Sequence, residues 1–162
     1  MFDKFVLAHY DTVHRYANRL CPDKALAEDC TQQCIVKLYD GFTRGHPRTA
    51  GELTVSYAIR ALVSVAIDHF RKESRERRAV EEVERSRAGK SADDPGKRVA
   101  DRAHVLWFLQ ELPMRQQEVY FLTKVGGYTA AEVGEILGLA TGTVSNYLSI
   151  AQKRMAQLRS RK

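Results

Sequence analysis

Between Gly138 and Met155 the chain reads GLATGTVSNYLSIAQKRM, which places small hydroxyl and amide side chains at helical spacing. Thr143, Ser145, Asn146 and Ser149 share one side, and Val144, Leu148, Ala151 and Met155 share the other. An asparagine can hydrogen-bond bidentately to an adenine edge, and serine and threonine reach several bases. Lys153 and Arg154, farther along, suit phosphate contacts. The chemistry expected of this helix is recognition of a duplex groove rather than bond making or breaking. A solvated helix with a polar outer face is the plainer alternative for the segment taken alone.

No other cluster carries a strong chemical signal. Cys30 and Cys34 lie one helical turn apart and, with Cys21 or a histidine, could bind a metal or sense oxidants. Buried inert thiols are the expected reading, and no metal or cofactor is assigned. His9 and His14 lack a paired carboxylate, so structural roles are expected. The sequence holds no phosphate loop, no metal-ligand cluster and no nucleophile motif, and no catalytic residue is assigned.

The elements that position these residues read as helices throughout. In 162 residues there is room for one medium domain or two small ones. A net charge of +6 fits a polyanionic partner without demanding one. Three cysteines argue against a disulfide framework, the amino end does not read as a secretory signal, and no apolar run is long enough to span a bilayer. A cytoplasmic protein, monomeric when free and without membrane insertion, is expected.

The first helix carries Phe2, Phe5, Val6, Tyr10, Val13, Tyr16, Ala17 and Leu20 at three-and-four spacing, and Pro22 stops it. A second follows Pro22-Asp23, with Leu26, Cys30, Cys34 or Ile35, and Leu38 on one face, and Gly41 as its expected end. The turn-rich stretch GFTRGHPRTAGEL reads as a loop. A third helix is expected from about Leu53 to Lys72, with a Val55, Ile59, Leu62, Ala66, Phe70 stripe facing the core and Arg60, Ser64, Asp68 and Arg71 on another face.

Glu73 to Ala100 is strongly charged and holds almost no large apolar residues. Its first part is free to extend the third helix, and SADDPGK reads as flexible linker. Apolar periodicity returns with Val105, Leu106, Leu109 and Leu112, then Pro113, then Val119, Phe121, Leu122 and Val125 up to Gly126-Gly127. Thr129 and Glu132 form a capping box, Val133, Ile136 and Leu137 make an inner face, and Gly138 closes that short helix. Thr141 is the expected cap of the last one. Two short helices joined by a glycine turn make a helix-turn-helix. The fold class is therefore all-α, with two small helical domains joined by a flexible charged linker and the second a helix-turn-helix.

Leu112 to Leu158, LPMRQQEVYFLTKVGGYTAAEVGEILGLATGTVSNYLSIAQKRMAQL, resembles the carboxy-terminal domain of bacterial sigma factors. LAEDCTQQCIVKLYDGF resembles the sigma segment that docks on the clamp of RNA polymerase, and VSYAIRALVSVAIDHFRK resembles the helix that recognises and opens the downstream promoter element. Two matches in family order, with nothing added, resemble the two-domain extracytoplasmic-function type. The resemblance implies a region 2-like domain over residues 1–74, a linker over 75–100 and a region 4-like domain over 101–162.

It further implies that Asp29, Gln32 and Gln33 contact the polymerase clamp. The loop from Thr43 to Leu53 would capture a flipped base. Arg60, Ser64, Asp68, His69, Arg71 and Lys72 would meet the downstream element. Thr141, Thr143, Ser145, Asn146, Ser149, Lys153 and Arg154 would read the upstream element, and Leu112 to Val125 would meet the polymerase flap. The implied partners are core RNA polymerase and promoter DNA, with room for an anti-sigma factor. Gln33 stands where the family usually has an acid, and the last helix lacks the bases usual near Ser145 and Tyr147, which implies a distinct promoter sequence. A stand-alone helix-turn-helix regulator, or an interaction module that has lost DNA binding, are the alternatives.

Overall fold

A computed structural model describes residues 1–45, 53–87 and 108–161. Among these residues there are six α-helices and no strand. Helix α1 (Phe2–Leu20) buries Phe2, Val13, Ala17 and Leu20. Its end is set by Cys21, whose backbone turns extended ahead of Pro22 while its N–H still donates to the Ala17 carbonyl. Asp23 then caps α2 (Lys24–Thr43), its carboxylate accepting from the Leu26 N–H at 2.8 Å.

Helix α2 buries Ala27, Cys30, Thr31, Cys34 and Leu38. The Thr31 hydroxyl is wholly enclosed and donates to the Ala27 carbonyl at 2.7 Å, which satisfies it within its own helix. Gly41 does not end α2 as the sequence suggested. The helix continues to Thr43, and the left-handed position falls at Gly45, with φ 62°. Gly41 is merely tolerated inside the last turn, and Gly45 takes the conformation that other residues adopt only with strain.

Helix α3 (Val55–Arg87) runs 33 residues, past Lys72 and into the charged segment whose first part was free to extend it. Its first half buries Ala58, Ile59, Leu62, Val63, Val65, Ala66, Ile67 and Phe70. Past Ser74 it is almost wholly exposed. There the support is local: Lys72 pairs with Glu76 at 3.9 Å and Glu73 with Arg77 at 3.2 Å, both one turn apart. The SADDPGK stretch lies outside the described residues, as do Val105 and Leu106.

The second unit begins at Phe108 and Leu109, both fully buried. Pro113 stands at the N-cap of α4 (Met114–Lys124), whose buried set is Gln117, Glu118, Val119, Tyr120, Phe121 and Leu122. The expected capping box opens α5 (Ala130–Leu137): the Thr129 N–H donates to Glu132 at 2.7 Å, and the Glu132 N–H donates to the Thr129 hydroxyl at 3.3 Å. Gly138 closes α5 with φ 65°. The turn is tight enough that the Leu139 N–H reaches the Gly134 carbonyl at 2.8 Å. A Cβ on Gly134 would lie 2.6 Å from the Leu139 carbonyl oxygen, so only glycine allows this approach. Helix α6 (Thr141–Ser160) follows, with Ala140 rather than Thr141 at its N-cap and no side-chain cap. Thr141 is instead the first residue inside the helix, because the turn after Gly138 spends only Leu139 and Ala140 before helical geometry resumes.

Helices α1, α2 and α3 pack against one another, and α4, α5 and α6 do the same. Helix α3 also packs on α4 and α5, so one buried apolar core runs from Phe2 to Met155. The Phe70 and Phe121 rings meet across that seam at 5.8 Å.

Candidate nucleic-acid interface

Helix α6 is held from below by Val144, Ala151 and Met155, all buried, and by Leu148, partly buried. That anchoring turns Ser145, Asn146, Ser149, Lys153 and Arg154 outward, where each is exposed. Thr141 is exposed at the first turn, and Thr143 is half-buried. The upstream set thus lies on one presented face, with small polar groups towards the amino end and two cations a turn or two later. That order suits base edges first and phosphates afterwards.

The residues assigned to the downstream element divide between two surroundings. Asp68, His69 and Lys72 line a groove of about 440 Å³ between α2 and α3, together with Asp29, Gln33, Lys37 and Val65. Two of the three clamp-assigned residues therefore share a hollow with three of the melting-helix residues. Asp29, Gln32 and Gln33 also line a shallower hollow of about 400 Å³ with Val36, Lys37 and Asp40. Within α2, Gln33 Nε2 donates to Asp29 Oδ2 at 2.7 Å, which fixes the carboxylate along the helix. Gln33, standing where an acid is usual, thus orients the acid that precedes it.

Arg60 and Arg71 lie on the side of α3 that faces the second unit. Arg60 Nε is 3.9 Å from Glu118 Oε1. Arg71 Nη1 donates to Asp68 Oδ1 at 3.4 Å, and Arg71 Nη2 donates to Gln117 Oε1. Ser64, between the two surroundings, accepts from Lys37 Nζ at 3.0 Å. Of the loop from Thr43 to Leu53, residues 46–52 lie outside the described residues.

Two residues of this surface were missed from the sequence. Lys37 lines both hollows and reaches α3. Its signal was present, since it follows Gln33 by four and so shares its face. Val36 lines the shallower hollow and is a large side chain left 62% exposed on the same helix. Its off-stripe position in the α2 periodicity was the available clue.

The cysteines form a separate, enclosed group. Cys21, Cys30 and Cys34 are all free and buried. Cys30 is held below the usual thiol range by a hydrogen bond with Cys21, against the opposing effect of burial. Burial pushes the Cys34 thiol up to about 12. Its Sγ donates to the Ala58 carbonyl at 3.4 Å, so it behaves as a small core residue. Among the described residues no group of three His, Cys, Asp or Glu side chains is placed to hold a metal ion. Nor is any helix among them long and apolar enough to cross a membrane.

Residues 5–76 match the model of sigma-70 region 2, and residues 108–155 match that of sigma-70 region 4. The chain is 28% identical over 156 residues to the RNA polymerase sigma-E factor of Streptomyces avermitilis, covering 96% of this chain and 83% of that one. It is 29% identical over 151 residues to the ECF RNA polymerase sigma factor SigL of Mycobacterium tuberculosis, covering 91% and 82%. Among solved structures, the fold is like that of the sigma factor RpoE in complex with the anti-sigma factor NepR from Bartonella quintana. That likeness has a TM-score of 0.50 at 22% identity, over 98% of this chain and 96% of that one. With both regions matched in order on an all-helical scaffold, the chain belongs to the sigma-70 family, in its two-domain extracytoplasmic-function type.

Proposed function

We infer that this chain binds core RNA polymerase as an alternative sigma factor and directs it to promoters, opening the DNA through binding energy and performing no chemistry of its own. In this reading residues 1–74 dock on the polymerase clamp through Asp29, Gln32 and Gln33. The α3 residues Ser64, Asp68, His69 and Lys72, with Arg60 and Arg71, meet the downstream element. The unit from 101 to 162 places α6 in the major groove of the upstream element, and α4 meets the flap. The observation that most supports it is the shared groove of Asp29, Gln33, Asp68, His69 and Lys72. A protein that grips the enzyme and the DNA at adjoining positions couples the two bindings, which a free-standing regulator has no need to do.

The cost of extruding a base is a few kcal/mol, which binding must offset. The test is transcription in vitro with core polymerase, this chain and a promoter library, with the start sites sequenced. Enrichment of one pair of spaced elements is expected. Specific promoter binding without core polymerase identifies a stand-alone regulator, and core association without any start-site preference identifies an interaction module.

A further inference from the structure

Among the described residues, α6 leaves one large apolar side chain in solvent. Ile150 is 40% exposed. The other apolar side chains of the helix are used by the core: Val144, Ala151 and Met155 are buried, and Tyr147, Leu148 and Leu158 pack partly buried against it. An exposed isoleucine is by itself ordinary. This one follows Asn146 by four, so the two side chains are neighbours on the presented face. A β-branched residue is also a weaker helix former than alanine or leucine, so helix formation does not call for it there.

The same stretch lacks any cation. From Thr141 to Gln152 there is no lysine or arginine, and Lys153 and Arg154 come only afterwards. The commonest specific contact to guanine is a bidentate one from arginine or lysine to O6 and N7. The first half of α6 has no side chain of that kind. It offers an amide that fits the N6 and N7 edge of adenine and, one turn later, a branched hydrocarbon. In the major groove a hydrocarbon finds its match in the C5 methyl of thymine. Gly142 precedes Asn146 by four, and a Cβ there would meet nothing within 4 Å. Nothing in the chain demands glycine at that place, and its bare backbone leaves room for a groove edge to come close.

We propose that Ile150 is a specificity-determining residue that packs on a thymine methyl next to the adenine held by Asn146, so that this chain selects an upstream element built on A·T pairs rather than on guanine. The inference rests on the reading of α6 as the helix that enters the upstream element. Four helical residues advance about 6 Å. Successive bases lie about 3.4 Å apart. The two contacts therefore fall one or two base steps from each other. Ile150 and the methyl leave water together, Asn146 supplies the polar half of the recognition, and Lys153 and Arg154 supply phosphate contacts.

The test uses the chain assembled with core polymerase and a promoter library randomised over the upstream element. The library is made once with thymine and once with uracil in its place within that element. The two bases pair alike and differ by the C5 methyl. Barcodes in the transcribed region report which templates were used. Wild type is expected to enrich A·T pairs at two neighbouring positions. Uracil at one of them is expected to lower template use about fourfold, the scale of one methyl group removed from water.

Ile150→Ala is expected to use thymine and uracil equally at that position, and to keep the adenine preference and the association with core polymerase. Its melting temperature should match wild type, since the side chain is exposed. A merely structural role would shift melting and leave the thymine-to-uracil ratio unchanged, which overturns the proposal. Guanine at the enriched positions, or equal use of thymine and uracil by wild type, overturns it and leaves the sigma reading standing. Transcription without any upstream selection overturns both.

Discussion

Lys37 Nζ lies 3.0 Å from Ser64 Oγ, which ties α2 to α3 across the groove to which the proposed function assigns both polymerase and promoter contacts. The pair is exposed, so it contributes little to folding, on the order of 0.5 kcal/mol. Lys37→Ala is therefore expected to leave the melting temperature nearly unchanged. It is expected to reduce strand opening, read by permanganate reactivity of the promoter in complex with core polymerase, several-fold. Unaltered permanganate reactivity removes Lys37 from the site.

Asn146 is an exposed amide in the amino-terminal half of α6. Asn146→Ala is expected to cost about 1–3 kcal/mol of discrimination at one base of the upstream element. Core association, measured by gel filtration of the assembled enzyme, should stay at the wild-type level. Equal transcription from promoters varied at every upstream position excludes base reading by this side chain.

Asp29 and Gln32 are offered outward by α2, and Gln33 holds the Asp29 carboxylate in place. Replacing Asp29 and Gln32 together by alanine is expected to weaken association with core polymerase at least tenfold. Gln33→Ala should have a smaller effect in the same direction, since it only frees the Asp29 rotamer. Normal affinity of the double variant in a fluorescence titration with core polymerase rules out this contact.

Gly134 accepts the backbone of Leu139 so closely that a methyl group would sit 2.6 Å from its carbonyl oxygen. Gly134→Ala should destabilise the second unit by about 1–3 kcal/mol, the usual scale of overpacking. Thermal unfolding followed by circular dichroism measures it. An unchanged transition means that the turn relaxes without cost.

Cys34 has a thiol raised from 9.0 to about 12 by burial. A group whose proton is held more tightly in the folded chain lends stability that is full below pH 9 and fades as pH rises from 9 towards 12. Cys34→Ala should flatten that alkaline decline relative to wild type in denaturant titrations. Native Cys34 should also resist iodoacetamide at pH 8 while the unfolded chain reacts.

Much of this fold was legible because the signals were local. The Thr129–Glu132 capping box, the left-handed Gly138 and the Asp23 start are short-range hydrogen-bonding devices, and each acts within a turn of itself. The α6 faces followed from the helical period alone. Thr141 was misplaced because a threonine beside a glycine turn is a good cap in isolation, whereas the spacing after Gly138 put Ala140 there. The continuation of α3 past Lys72 was open in the sequence but its length was not, because charged sequence offers no apolar burial to follow, while its turns are sustained by pairs such as Glu73–Arg77.

The seam was not legible at all. Arg19 and Gly126 are 107 positions apart, and nothing in either neighbourhood names the other. Arg60 and Arg71 read as outward cations because each unit was considered without the other. The groove had the same cause: the α2 and α3 sets were separate motifs until packing placed Asp29 beside Asp68 and Lys72.

Helix α3 leaves the first unit at Ser74 and continues to Arg87 with little to rest on. At 1.5 Å per residue this overhang is about 20 Å long. The covalent connection to the second unit is thus anchored at the tip of a stiff boom instead of on the globule's skin. Where that connection starts is therefore fixed by the boom's heading and length rather than by the packing of the first unit's core.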